Sequence, residues 1–233
     1  MDKWVLFDLD GTLLPMDMEV FTKAYFGGLA KKLAPYGYKP DELVKSIWAG
    51  TGDMVKNNGK DTNEAVFWKR FFTIYGEKSH EHFPLFDEFY KNDFDKIQPH
   101  CGFNPNSKQL VELLKKNGYR VGLATNPIFP AIATECRIRW AGLTPDDFEF
   151  YTTYENSRFC KPNIEYYKDI LAKNGINAES CVMVGNDVTE DMVAEKLGMK
   201  VFLLTDCIIN KNNEDISRFP HGGFAELYKF FGL

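Results

Sequence analysis

The sequence predicts an α/β protein, a doubly wound parallel sheet whose first strand is followed by an all-helical insert. Three observations predict it. Short, nearly continuous apolar runs ending in polar or acidic residues recur through the second half of the 233-residue chain. Helical patterns lie between those runs, and the order strand, helix, strand, helix calls for parallel strands covered on both faces. After the first such run, about 80 residues carry only the helical apolar period.

The first strand is the run Trp4 to Phe7, which leads straight into Asp8, Leu9, Asp10, Gly11 and Thr12. Burying an unpaired carboxylate costs several kcal/mol or forces it to protonate. Two carboxylates at the end of a buried strand therefore point to a cation or a reaction there. In the insert, Phe21, Tyr25, Leu29 and Leu33 share one helix face, and Phe67, Phe71 and Ile74 share another. The segments PYGYKP and NNGKDT separate its helices, and Asp61 with Glu64 reads as a capping pair. Between them Ala49–Asp61 reads as a loop, whose Lys56, Asn57, Asn58 and Lys60 either meet an anionic or hydroxylated leaving group or are simply solvated. The boundaries are residues 1–14 and 96–233 for the sheet domain and 15–95 for the insert.

In the second half, strands are expected at Tyr119–Thr125, Phe148–Thr153, Cys181–Asp187 and Lys200–Asp206. Helices are expected around Leu110, Val111 and Leu114, over Ile132–Trp140, around Tyr166, Tyr167, Ile170 and Leu171, and around Met192, Val193 and Leu197. Gly118, Gly142, Gly175 and Gly198 stand where a left-handed helix cap suits glycine. Arg137 and Arg139 are expected on the solvated face of their helix, and Glu155, Asn156 and Arg158 in a loop near the strand ends.

Composition narrows the function. A net charge of -5 with no Lys/Arg stripe argues against nucleic-acid binding. No apolar run approaches the roughly 20 residues of a membrane helix, and no leader pattern opens the chain, so a cytoplasmic protein is expected. The five cysteines are odd in number and lack metal-ligand spacing, which suggests reduced thiols.

In an open parallel sheet, ligands bind outside the carboxyl ends of the strands. Those ends deliver Asp8 and Asp10, then Thr125 and Asn126, then Lys161, then Asp187 with Asp191 four residues on. The carboxylates suit a hard cation, and Mg2+ prefers a few carboxylates plus water and substrate phosphate. The Thr125 hydroxyl and Lys161 ammonium suit phosphate oxygens. The set is suited to phosphoryl transfer.

DLDGT, LATN, KP and GNDVTED, in that order on expected strand ends, resemble the four motifs of the haloacid dehalogenase (HAD) superfamily. The resemblance covers the whole chain and implies a Rossmann-like core with the insert as a helical cap. It implies that Asp8 is a nucleophile forming an aspartyl phosphate, and that Asp10 is general acid and then base, its main-chain carbonyl facing the metal. Thr125 and Lys161 would hold phosphoryl oxygens. Asp187 would ligate Mg2+, with Asp191 either orienting the metal's waters or Lys161, or binding the metal directly. Asn126 would orient the nucleophile or a phosphoryl oxygen. The dehalogenases of the superfamily usually lack the second Asp and need no metal, whereas this chain keeps Asp10 and Asp187. The reading that results is a Mg2+-dependent phosphatase of a small-molecule phosphate ester, with a phosphomutase or a phosphate-binding regulator without turnover as alternatives.

Overall fold

The computed structural model describes residues 2–233. Its centre is a five-stranded, all-parallel sheet of β1 (Lys3–Phe7), β2 (Tyr119–Leu123), β3 (Cys181–Gly185), β4 (Lys200–Leu204) and β5 (His221–Gly222). The spatial order is β2-β1-β3-β4-β5. The order reverses at β1, so the crevice of a doubly wound sheet opens beside the residues that leave β1, β2 and β3.

Alternation along the strands explains why both faces are covered. Val5, Phe7, Val182, Val184, Phe202 and Leu204 enter one buried cluster, and Trp4, Leu6, Cys181, Met183, Val201 and Leu203 enter the other. A strand with apolar residues at every position can only be satisfied by layers on both sides. Helices α5 (Pro105–Lys116) and α6 (Ala131–Trp140) cover the first face. Helix α7 (Ile164–Asn174) and a 3-10 helix over Met192–Leu197 cover the second.

Between β1 and β2 lie the four helices of the cap, α1 (Met18–Leu33), α2 (Pro40–Val55), α3 (Asn63–Tyr75) and α4 (Phe83–Asn92). Asp17 starts α1 by accepting the Glu19 and Val20 N–H groups, the usual way a helix's free donors are met. The α1 face with Phe21, Tyr25, Leu29 and Leu33 is buried, as its period requires. The cap core continues without a break into the first sheet face, where Phe94 stacks on Trp140 at 5.0 Å and Phe21 meets Phe129 edge-on at 6.2 Å. A final helix, α8 (Phe224–Phe231), closes the chain.

Several local expectations need correction. Phe148–Thr153 is extended and bonds to the outer edge of β2, through Glu149 N–H to Val121 O and Leu123 N–H to Phe150 O. It makes only an isolated bridge at Tyr151, because β2 is short and the segment runs past its end. Met192–Leu197 winds as a 3-10 helix, not an α-helix, being confined to six residues between Asp191 and Gly198. Thr62, not Asp61, caps α3, accepting the Ala65 N–H at 3.2 Å. Helix α2 runs through most of Ala49–Asp61, and Ile74 is exposed. The short strand β5 carries too little pattern to be seen in sequence.

Candidate active site

Asp8 follows β1 directly and is anchored to the sheet by its N–H, which donates to the Val184 carbonyl at 2.9 Å. Its carboxylate meets the Lys161 ammonium at 2.8 Å, and the same ammonium meets Asp191 at 2.6 Å. Lys161 and Asp191 are each only 1 % exposed, so this is a buried lysine between two carboxylates. Burial alone lowers an ammonium's pKa, yet Asp191 and Asp8 together hold Lys161 well above its ordinary value. Burial pushes the Asp8 carboxyl up to about 7, against the opposing pull of Lys161.

Asp191 is fully engaged. One oxygen takes Lys161 and the other accepts the Asp187 N–H at 3.0 Å. That approach needs Gly185, since a β-carbon there would collide with the Asp191 carboxylate. Asp187 accepts the N–H groups of Thr189 and Glu190 at 2.8 and 2.9 Å. Gly11, with φ of 83°, makes the same kind of room for the Asn186 amide. Thr12 donates to Asn186 at 3.0 Å and at 3.3 Å to Asp8, tying the first motif to the last.

A cleft of about 1180 Å³ opens above these residues, lined by Asp8, Asp10, Thr125, Asn126, Asp187 and Asp191 among others. Six of the seven site residues expected from sequence therefore share its wall, and Lys161 lies beneath it. The Asn126 side-chain amide donates to Glu190 at 2.9 Å, while its Oδ1 has no partner among the described residues. The Thr125 carbonyl accepts Thr152 and Tyr166 hydroxyls at 2.6 and 2.8 Å, which fixes the strand end.

Arg137 overturns its expected place on a solvated face. It is 1 % exposed, pairs with the Asp10 carboxylate, and lies over the Phe129 ring at 4.4 Å. Ala133, Cys136, Arg137 and Trp140 have the spacing of one helix face and all are buried, so the periodicity was a signal that Arg137 faces inward, although it does not show the partner. Glu190 was also missed, though it stands inside the GNDVTED motif; burial raises its carboxyl to about 7. Glu155 caps α6 through the Ala131 N–H, Arg158 pairs with Asp169, and Lys56, Asn58 and Lys60 lie in a separate surface groove, so none of these borders the cleft.

Among the described residues, no three His, Cys, Asp or Glu side chains form a ready-made metal cluster. The donors nevertheless fit a hard cation. Asp8, Asp10, Asp187, Glu190 and Asp191 face only two buried cations, Lys161 and Arg137, and the Asp10 Oδ1 is a buried acceptor without a partner. Burial raises the carboxyls of Asp8, Asp10, Asp187 and Glu190 alike, as expected of acids withdrawn from water.

The family model for haloacid dehalogenase-like hydrolases matches residues 3–198. The chain belongs to that family. This HAD-like hydrolase is 24% identical over 196 residues to the pyrophosphatase PpaX of Bacillus cereus, an alignment covering 84% of this chain and 80% of the relative. Among solved structures it is similar to a 2-haloacid dehalogenase from Pseudomonas syringae, with TM-score 0.68 at 22% identity, covering 99% of this chain and 98% of the other. It is also similar to a predicted phosphoglycolate phosphatase from Haemophilus somnus, with TM-score 0.61 at 20% identity and the same coverage. At those identities the structures establish the fold, and the HAD-like hydrolase's reaction must be argued from its own residues.

Proposed function

We propose that this HAD-like hydrolase is a Mg2+-dependent phosphatase of a small phosphate monoester, working through an aspartyl phosphate on Asp8. The observation that carries the reading is the pair of acidic groups at the end of β1. Asp8 is held against a buried ammonium, and Asp10, two residues on, keeps one carboxyl oxygen unpartnered in the same cleft. A nucleophile with a separate proton carrier beside it is what ester cleavage and its hydrolytic return step both need.

An Asp8 carboxylate oxygen attacks phosphorus and the P–O bond to the leaving group breaks, Asp10 giving its proton to the departing oxygen. Water then attacks phosphorus of the aspartyl phosphate, Asp10 takes a proton from it, and Asp8 is released with inorganic phosphate. Thr125 and Asn126 line the cleft beside Asp8, where they would hold phosphoryl oxygens. Lys161 opposes the protonation of Asp8 and orients it from below, and Asp191 fixes Lys161. Asp8, Asp187 and the main-chain carbonyl of Asp10 would hold Mg2+, whose charge, when bound, offsets the repulsion between the carboxylate nucleophile and a phosphate dianion. With both oxygens engaged, Asp191 orients that set from behind.

The test is phosphate release from a generic aryl phosphate with and without Mg2+, beside Asp8→Asn. Release that requires Mg2+ and vanishes in the variant supports the reading. Chloride release from 2-chloropropionate with no phosphate release from any ester would overturn it in favour of dehalogenation.

A further inference from the structure

Behind the catalytic cleft, between the cap and the loop after β2, lies a second and smaller cavity of about 80 Å³. The two are adjacent, with Met18, Thr22, Trp48, Ile128 and Phe129 lining both. Ile128 and Phe129 follow Thr125 and Asn126 within four residues, so the inner cavity begins where the phosphate-facing end of β2 stops. Its wall contains no Asp, Glu, Lys, Arg or His. Its three phenols and one indole pair with one another, the Tyr25 and Tyr90 hydroxyls at 2.8 Å and the Trp68 N–H with the Tyr154 hydroxyl at 3.4 Å, which leaves the Thr22 and Thr51 hydroxyls and the Trp48 N–H as its only other side-chain polar groups.

Such a wall discriminates. A second phosphate would find no cation in the cavity, and a polyol would find only the Thr22 and Thr51 hydroxyls and the Trp48 N–H, too few to satisfy its own hydroxyls, which is costly. An alkyl group would lose only its contact with water. The volume is below the roughly 150 Å³ of a dry cavity that takes benzene, so the occupant is compact. At the junction stands Trp48, 54 % exposed and packed at a tilt against Phe26 at 5.6 Å. An indole left open where a polar cleft meets an apolar cavity is placed to cover a ligand that spans both.

We infer that this cavity is the leaving-group subsite and that the substrate is a phosphate monoester of a short, branched or similarly compact apolar alcohol. The inference rests on the phosphatase reading for the orientation of the phosphate toward Asp8, and on the cavity for the rest. It separates this chain from any relative whose leaving group is phosphate or a polyol.

Binding and turnover test it separately. With Mg2+ present, affinities of the intact protein for methyl-, ethyl-, propyl- and isobutylphosphonate, and for 2,3-dihydroxypropylphosphonate, are measured by calorimetry. Affinity should rise about fourfold per added methylene up to the isobutyl compound. The dihydroxy compound should bind at least about tenfold more weakly than the isobutyl one. Thr51→Leu, which fills the inner cavity from a position that does not line the cleft, should weaken the isobutyl compound and leave methylphosphonate unchanged. A flat series, or equal affinity for the dihydroxy compound, overturns the subsite even if isobutyl phosphate is hydrolysed. A rising series without phosphate release from isobutyl phosphate would overturn the hydrolytic reading and support the subsite.

Discussion

The Arg137 guanidinium, buried under the Phe129 ring, is paired with the carboxylate of Asp10. A helix of the sheet domain thus reaches across to hold the acidic group that β1 delivers to the cleft. One Asp10 oxygen is tethered and the other is left without a partner among the described residues, so the pair decides which way the free oxygen faces. Removing one member of a buried pair costs about 3–5 kcal/mol, less if the orphaned group protonates. Arg137→Met should therefore lower both the melting temperature and kcat. In an Asp10→Asn background the same substitution should cost less stability, because no charge is left stranded. Equal costs in the two backgrounds, measured by denaturant titration, would show that the pair is not coupled.

Lys161 makes a sharper prediction. It neutralises Asp8 and Asp191 at once, so Lys161→Met strands two buried carboxylates. The expected loss is about 3–5 kcal/mol in the metal-free protein, together with loss of turnover. The loss of stability should shrink as pH falls and the orphaned acids protonate. A melting temperature unchanged at pH 8 would contradict it.

The sign of the pH dependence follows from burial. Asp8 rises from 3.8 to about 7 and Glu190 from 4.5 to about 7 on folding, so the folded protein holds protons that the unfolded chain has lost. The stability these groups contribute is full below about pH 4 and is lost as pH rises through 7. Groups such as Asp93, held below its ordinary range by its hydrogen bond to Lys96, act the other way, but only as pH falls toward and below 3.8. Between pH 5.5 and 8, a protein freed of divalent cations should thus melt at progressively lower temperature. Asp8→Asn with Glu190→Gln should flatten that slope, and Mg2+ at pH 8 should recover the loss by binding the native carboxylates. Scanning calorimetry in EDTA, then in Mg2+, checks all three.

Asn63 joins cap to core. Fully buried at the start of α3, it donates to Pro127 O at 3.2 Å, Phe159 O at 3.4 Å and Cys160 Sγ at 3.3 Å, and accepts from Asn57 at 2.9 Å. The loops it binds are those that carry Thr125 and Lys161. Asn63→Leu leaves several buried polar atoms unpaired and should cost about 2 kcal/mol. For a chain of this size that is a fall of about 4–8 °C in Tm. Asn58→Ala, exposed in the loop between α2 and α3, should change Tm by less than about 1 °C.

How far the sequence could be read depended on whether the determining contacts are local in the chain. The strands β1 to β4 and the cleft-lining residues that follow β1, β2 and β3 followed from short apolar runs that end in polar residues, since a strand buried on both faces leaves that trace wherever it lies. The Phe148–Thr153 segment has the same trace, but whether it joins a ladder depends on the length of its neighbour β2, which no local pattern encodes. Arg137 was misread for a related reason. A charge on a helix is ordinarily solvated, and only the approach of Asp10, 127 residues away, makes its burial favourable.

By itself the sequence determined the α/β class, the family motifs and which carboxylates and hydroxyl leave the strand ends, because periodicity and strand-end position are properties of a few adjacent residues. Tertiary structure alone decided which of these groups are paired, which oxygen of Asp10 is free, and what stands opposite them. The cavity walled by Trp48, Phe129 and their neighbours draws on four helices and two loops. Its shape is the space left when those elements pack, and that space exists only once the chain has folded.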